Sequence, residues 1–147
     1  MTLAQRLAGF AAGLTLERIP TEVVESVRLR TLDTLGVALA ASACDFAPSL
    51  LGALEGWSSG GPCTVLGARL SASPPLAALA NGALAHGLDF DDTHAASIIH
   101  ASAVVLPAVL AVGEAAGADG PTVVAAAVAG YEAITRLGLA ASGAFHA

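Results

Sequence analysis

Only four charged residues, Glu114, Asp119, Glu132 and Arg136, lie in the last 55 positions of this 147-residue chain, while eight of its 18 charged residues lie in the first 33. The charge-poor half reads as two long helices, and helices with so few charges cannot each present a solvated face of ordinary polarity. They must be covered, by more chain or by another subunit. The last helical pattern also runs nearly to residue 147 without a capping motif. Residues 1–147 are therefore expected to be part of a larger folding unit.

Helix signals run through the whole chain. Leu3, Leu7, Phe10 and Leu14 stand at helical spacing in residues 3–14. Pro20 and Thr21 open a second helix, with Glu22 and Glu25 in a first turn where the dipole favours anions. Its stripe is Val24, Val27, Thr31, Leu35 and Ala38; beyond Asp33 the polar face disappears, which predicts a helix entering an interior. A third segment covers 47–57. Cys63-Thr-Val-Leu is the one plausible strand and is too short to build a sheet. Ser73-Pro74 reads as an N-cap followed by proline at the first helical position, opening a helix that stops near His86-Gly87. A further helix from about Ser102 to Ala116 carries Pro107, expected to kink it or end its first turn. Asp119-Gly-Pro opens the last helix, in which Glu132 and Arg136 form an i,i+4 pair. With no internal repeat and no linker, the class is all-α.

Composition excludes several functions. The six basic residues are all Arg against 12 acids, a formal net charge of −6, so nucleic acid has no basic surface to bind. Cys44 and Cys63 show no C-x-x-C spacing and read as reduced thiols, pointing to a cytoplasmic protein rather than a zinc or disulfide scaffold. A composition 55% hydrophobic and 12% charged is the opposite of a disordered one. Residues 93–113 lack Asp, Glu, Lys and Arg and are long enough to span a bilayer. They carry His94, Ser97, His100, Ser102 and Pro107, however, and no Arg-rich loop flanks them to set an orientation. Much of the positive mean hydropathy comes from 35 Ala. No membrane segment and no signal peptide are expected.

One segment carries chemistry. Residues 86–100, His-Gly-Leu-Asp-Phe-Asp-Asp-Thr-His-Ala-Ala-Ser-Ile-Ile-His, hold three of the four His and three of the 12 acids, whereas 70–85 and 101–113 hold no ionisable group. Charged groups are costly among apolar helices unless paired or used. His100 directly precedes a helix, whose N-terminal N–H groups suit a substrate carboxylate, and a histidine there can serve as general acid or base, tuned by an aspartate. Simpler roles compete: Asp91 or Asp92 can cap a backbone turn, His86 can complement a helix C-terminus, and His94 and Thr93 alone mean nothing. His146, near the chain end, is expected to be structural or exposed. Three functions fit the residue types. A metal centre could use His86, Asp89, Asp91 and His94, although the spacing matches no zinc signature and H-E-x-x-H is absent. A prenyl-diphosphate site lacks the chelating acid spacing and the basic residues. The third is metal-free acid–base catalysis on a small carboxylic acid.

The stretch Asn81-Gly-Ala-Leu-Ala-His-Gly-Leu-Asp-Phe-Asp-Asp-Thr-His, with His100-Ala-Ser-Ala-Val-Val-Leu-Pro after it, resembles the MmgE/PrpD family, as do Leu32-Asp-Thr-Leu-Gly and Gly130-Tyr-Glu-Ala-Ile-Thr-Arg-Leu-Gly. The family includes 2-methylcitrate dehydratases, cis-aconitate decarboxylases and an iminodisuccinate epimerase. The resemblance implies longer parent chains, with a helical domain of which residues 1–147 are the N-terminal part, and a separate lid domain absent from these residues. It implies a lyase acting without cofactor or metal on a citrate-like di- or tricarboxylic acid, built as a homodimer. It places Asp89, Thr93 and His100 in the active site, with Asp89 orienting His100, and sets His86, Asp92, His94 and Ser102 around them. The Thr93–His100 segment is one residue longer than in some members, so His100 is aligned through the A-S-A-V-V-L-P that follows it. The family's second catalytic histidine would fall after residue 147, so His146 is not its counterpart, and these residues alone would be inactive. The alternatives are a metal-dependent hydrolase using the His86–His100 cluster, or an inactive helical interaction module.

Overall fold

A computed structural model describes residues 1–141; His146 lies outside the described residues. Six helices are present among them: α1 (Leu3–Gly13), α2 (Thr21–Ala41), α3 (Ala47–Trp57), α4 (Pro74–His86), α5 (Ala101–Ala116) and α6 (Gly120–Ala140). A 3-10 turn, Leu16–Arg18, joins α1 to α2. The class is all-α, interrupted by one small hairpin.

That hairpin is where local reading fell short. The expected strand at 63–66 shrinks to β1 (Cys63–Thr64), paired antiparallel with β2 (Ser71–Ala72). β2 leaves no periodic trace in a Ser/Pro-flanked segment. Tertiary contacts hold it instead: Asn81 of α4, buried, accepts the Leu66 N–H at 2.9 Å and donates to the Thr64 carbonyl at 2.9 Å. From the other side, Glu114 accepts the Thr64 N–H at 2.7 Å and its hydroxyl at 2.6 Å.

The helices pack closely because their facing residues are small. α4 lies chiefly against α5, α2 crosses α4, and α6 closes over α5. Ala38, Ala41, Ala47, Ala85 and Ala103 surround Leu84 in one cluster; Val27, Leu106 and Ala127 form another under α6. Where α4 meets α5, a Cβ on Gly82 would stand 3.1 Å from the Ala103 carbonyl oxygen. That carbonyl is the one whose helical donor Pro107 removes. The helix passes through Pro107 and continues to Ala116, so proline neither ends it nor confines it to a first turn.

Boundaries follow local chemistry. Thr2 and Gln5 form a capping box on α1, and Asp119 caps α6 by accepting the Thr122 N–H at 3.0 Å. Ser73 occupies the N-cap of α4 with Pro74 inside the first turn, yet its hydroxyl makes no capping bond; its carbonyl accepts the Ala77 N–H, the first intrahelical bond. Gly87 ends α4 in right-handed conformation; a Cβ there would run into the Phe46 ring, which would have to move.

The apolar half of α2 does not vanish into an interior here. Beyond Asp33, Thr34, Ala38 and Ala41 are buried but Leu39 on the other face is half exposed; nearer the helix start Val27 is buried while Leu29 and Leu32 are more than half exposed. Val104 and Val112 of α5 and Leu137 and Leu139 of α6 are similarly uncovered. By length and composition α6 could cross a membrane; it carries the Glu132–Arg136 ion pair, Nε to Oε2 2.6 Å, and packs on α1, α2 and α5.

Candidate active site

Residues 87–100 link α4 to α5 as two consecutive turns that place their side chains on different sides. The first turn begins where Gly87 ends α4 and the Asp89 N–H donates to the His86 carbonyl at 2.8 Å. Asp89 has φ +56°, a left-handed conformation uncommon for a residue with a side chain. The reversal turns Asp91 back toward α4 and directs Phe90 outward, 76% exposed.

The second turn is a closed loop. His94 N–H donates to the Ile99 carbonyl at 2.9 Å, and the His94 carbonyl accepts from Ile98 N–H at 2.8 Å and Ser97 N–H at 3.1 Å. Ile98 sits at φ +52°, a strained conformation for a β-branched side chain. Ser97 is buried with its hydroxyl 2.7 Å from His94 Nδ1, and it rests on α6 where Gly138 leaves room. His100 then forms the N-cap position of α5, without a side-chain capping bond.

These turns bring His86, Asp89, Asp91 and His100 together: one donor atom from each lies within 4.8 Å of all the others. Asp91 is the centre. His86 Nδ1 lies 3.0 Å from Asp91 Oδ1 and 3.1 Å from Oδ2. His100 Nδ1 lies 3.3 Å from Asp91 Oδ2, out of line for a hydrogen bond. The Asp91 side chain is only 3% exposed, against 56% for His86 and 38% for His100. The two imidazoles meet edge to face with centroids 5.2 Å apart. Both rings line an open groove of about 550 Å³ whose other walls include Leu79, Ala83, Val104 and Ile134. Two imidazoles and two carboxylates are also a donor set that could hold a divalent transition metal.

Thr93, His94 and Asp92 face a different cavity. About 260 Å³ in volume, it is lined by them with Arg30, Tyr131 and Thr135. Asp92 is bound on two sides, by the Arg30 guanidinium and by the Ser102 N–H at 2.9 Å. An N-terminal N–H of α5, expected to be open to a substrate carboxylate, is thus already taken. Ser102 is buried with its hydroxyl 2.6 Å from the Tyr131 phenol. Burial raises the Tyr131 pKa above its ordinary value of 10.0 and nearby Asp92 adds to the rise, while the Ser102 bond opposes it; the phenol stays protonated.

Of the residues expected at the site, the fold brings His86, Asp89 and His100 together and sets Asp92, Thr93 and His94 at the other cavity. The sequence offers Asp91 as a turn cap or metal ligand and does not single out Arg30 or Tyr131. Arg30 lies 62 positions from Asp92, beyond any local pattern. The signal for Asp91 was present, since it falls among three acids between two histidines.

The family model for the MmgE/PrpD N-terminal domain matches residues 5–147. The chain belongs to the MmgE/PrpD family. Similar proteins include a cis-aconitate decarboxylase of Aspergillus terreus, 28% identical over 96% of this chain and 30% of the relative, and another from strain NIH 2624 / FGSC A1156, 30% identical over 91% of this chain and 28% of the relative. A cis-aconitate decarboxylase of Mus musculus is 31% identical over 78% of this chain and 23% of its own length. This MmgE/PrpD chain therefore spans less than a third of the curated relatives it matches, and these relatives tie it to a lyase-type family.

Proposed function

We propose that this chain is the N-terminal helical part of a lyase that acts on a citrate-like di- or tricarboxylic acid by metal-free acid–base catalysis at His100. The observation that carries the proposal is the placement of His100: at the head of α5, beside a buried carboxylate and a second imidazole, lining an open groove. Dehydration and decarboxylation of such acids both need a proton moved at a carbon next to a carboxylate or at a leaving hydroxyl. A positioned imidazole does this near neutral pH. Relatives named cis-aconitate decarboxylase support the substrate class.

Asp89 holds an exposed carboxylate beside the rings, available to a reacting group. Thr93 would reach a substrate oxygen from the neighbouring cavity. Charge on the anionic intermediate is stabilised by hydrogen-bond donors and cations. Arg30, the one arginine lining the two cavities, is committed to Asp92, so further cations would come from elsewhere in the full protein. The proposal includes a homodimer, in keeping with the exposed leucines and valines of α2, α5 and α6.

The test is His100→Ala in the full protein, assayed with cis-aconitate and 2-methylcitrate. Turnover should fall about 10²- to 10⁴-fold with an unchanged circular dichroism spectrum; unchanged turnover overturns the role. A metal-dependent hydrolase is the second candidate, favoured by the convergence of four donor atoms within 4.8 Å. Exhaustive dialysis against a chelator separates the two, since the metal-free lyase keeps its activity.

A further inference from the structure

Three carboxylates lie in the 86–100 segment, and only one touches the imidazoles. Asp92 is occupied by Arg30 and Ser102. Asp89 is exposed, and among the described residues no hydrogen bond holds its carboxylate. The Asp91 side chain is buried, and its polar partners among the described residues are the His86 and His100 rings. A buried carboxylate requires a partner, and here the two ring Nδ1 atoms are what it has.

We infer that Asp91, rather than Asp89, is the positioning residue of the site. It holds His86 and His100 in the Nδ1–H tautomer and leaves both Nε2 atoms free toward the groove. A neutral imidazole carries one N–H, and the nitrogen that donates to a carboxylate fixes the other as the acceptor. His86 Nδ1 already makes this bond, at 3.0 Å. His100 Nδ1 is a buried nitrogen without a hydrogen bond, 3.3 Å from the other oxygen, so a small ring rotation completes the second. Asp91 acts through the rings and is not itself a catalytic residue.

The kinetic part of this inference rests on the proposed lyase reading, and the spectroscopic part does not. Long-range ¹⁵N–¹H spectra of the ¹⁵N-histidine-labelled full protein, at a pH where the rings are neutral, report each tautomer. The expected result is Nδ1–H for His86 and His100 in the wild type and in Asp89→Asn, with loss of that preference in Asp91→Asn. In the same variant kcat should fall at least about 10-fold, as when the carboxylate that sets a histidine tautomer is lost, with KM changed less than about threefold, and Asp91→Glu should recover part of the loss. Nε2–H tautomers in the wild type overturn the inference even if Asp91→Asn fails to fold, as does an Asp91→Asn spectrum identical to wild type. If no di- or tricarboxylate is turned over, the lyase reading fails while the tautomers still decide the role of Asp91.

Discussion

The Asp92 carboxylate caps Ser102: its Oδ1 accepts the Ser102 N–H at 2.9 Å, although the two residues are ten positions apart and in different elements. The other oxygen meets Arg30 of α2. One side chain thus ties the loop carrying the histidines to the start of α5 and to a second helix. Removing it in Asp92→Ala should cost about 1–2 kcal/mol, the range of a lost N-cap. Asp92→Asn, which keeps an oxygen acceptor, should cost less. Urea unfolding followed by circular dichroism measures both; equal losses would show that the Arg30 charge pair, not the cap, carries the effect.

Gly138 forms the seat of the second turn. A Cβ there would stand 2.7 Å from Ser97 Cβ and 3.3 Å from Ile99 Cγ2. Neither is the free end of a flexible chain, so the loop itself must move. Gly138→Ala should destabilise by about 1–3 kcal/mol, as overpacking does, and should lower kcat because His100 directly follows that loop. Thermal unfolding and steady-state kinetics of the full protein test this; wild-type kcat would show that the loop position does not control His100.

Glu114 links α5 to the hairpin through Thr64. Hydrogen bonds from the Thr64 hydroxyl, and then from its backbone N–H, hold the Glu114 pKa below its ordinary value of 4.5. A carboxyl depressed on folding contributes stability above its unfolded pKa and loses it as pH falls through the folded one. The urea midpoint of the wild type should therefore drop below about pH 4.5 more steeply than that of Glu114→Gln, and the two curves should converge in acid. Parallel curves would rule out the contribution.

Helix signals mark about 73–86 and 102–116 as helices, their lack of charge requires that both be covered, and α4 on α5 is the main contact of the fold. Helical periodicity is local, and the segment between them stands out as a candidate site by its local composition: titratable groups surrounded by none. Caps were partly legible, since Asp119 binds the Thr122 N–H as its position suggests, whereas the Ser73 hydroxyl does not cap α4.

What only the tertiary structure decided is which aspartate meets which histidine. In a helix or strand the repeat determines where each side chain points. Residues 87–100 have no repeat, and the left-handed backbone at Asp89 and Ile98 redirects the chain twice. Asp91 and Asp92, adjacent in sequence and alike in chemistry, end on different partners because one turn faces His86 and the next faces Arg30. Those directions come from the seat at Gly138, the Phe46 ring under Gly87 and a cation 62 positions away. Such packing is set by the whole chain, and no local pattern encodes it.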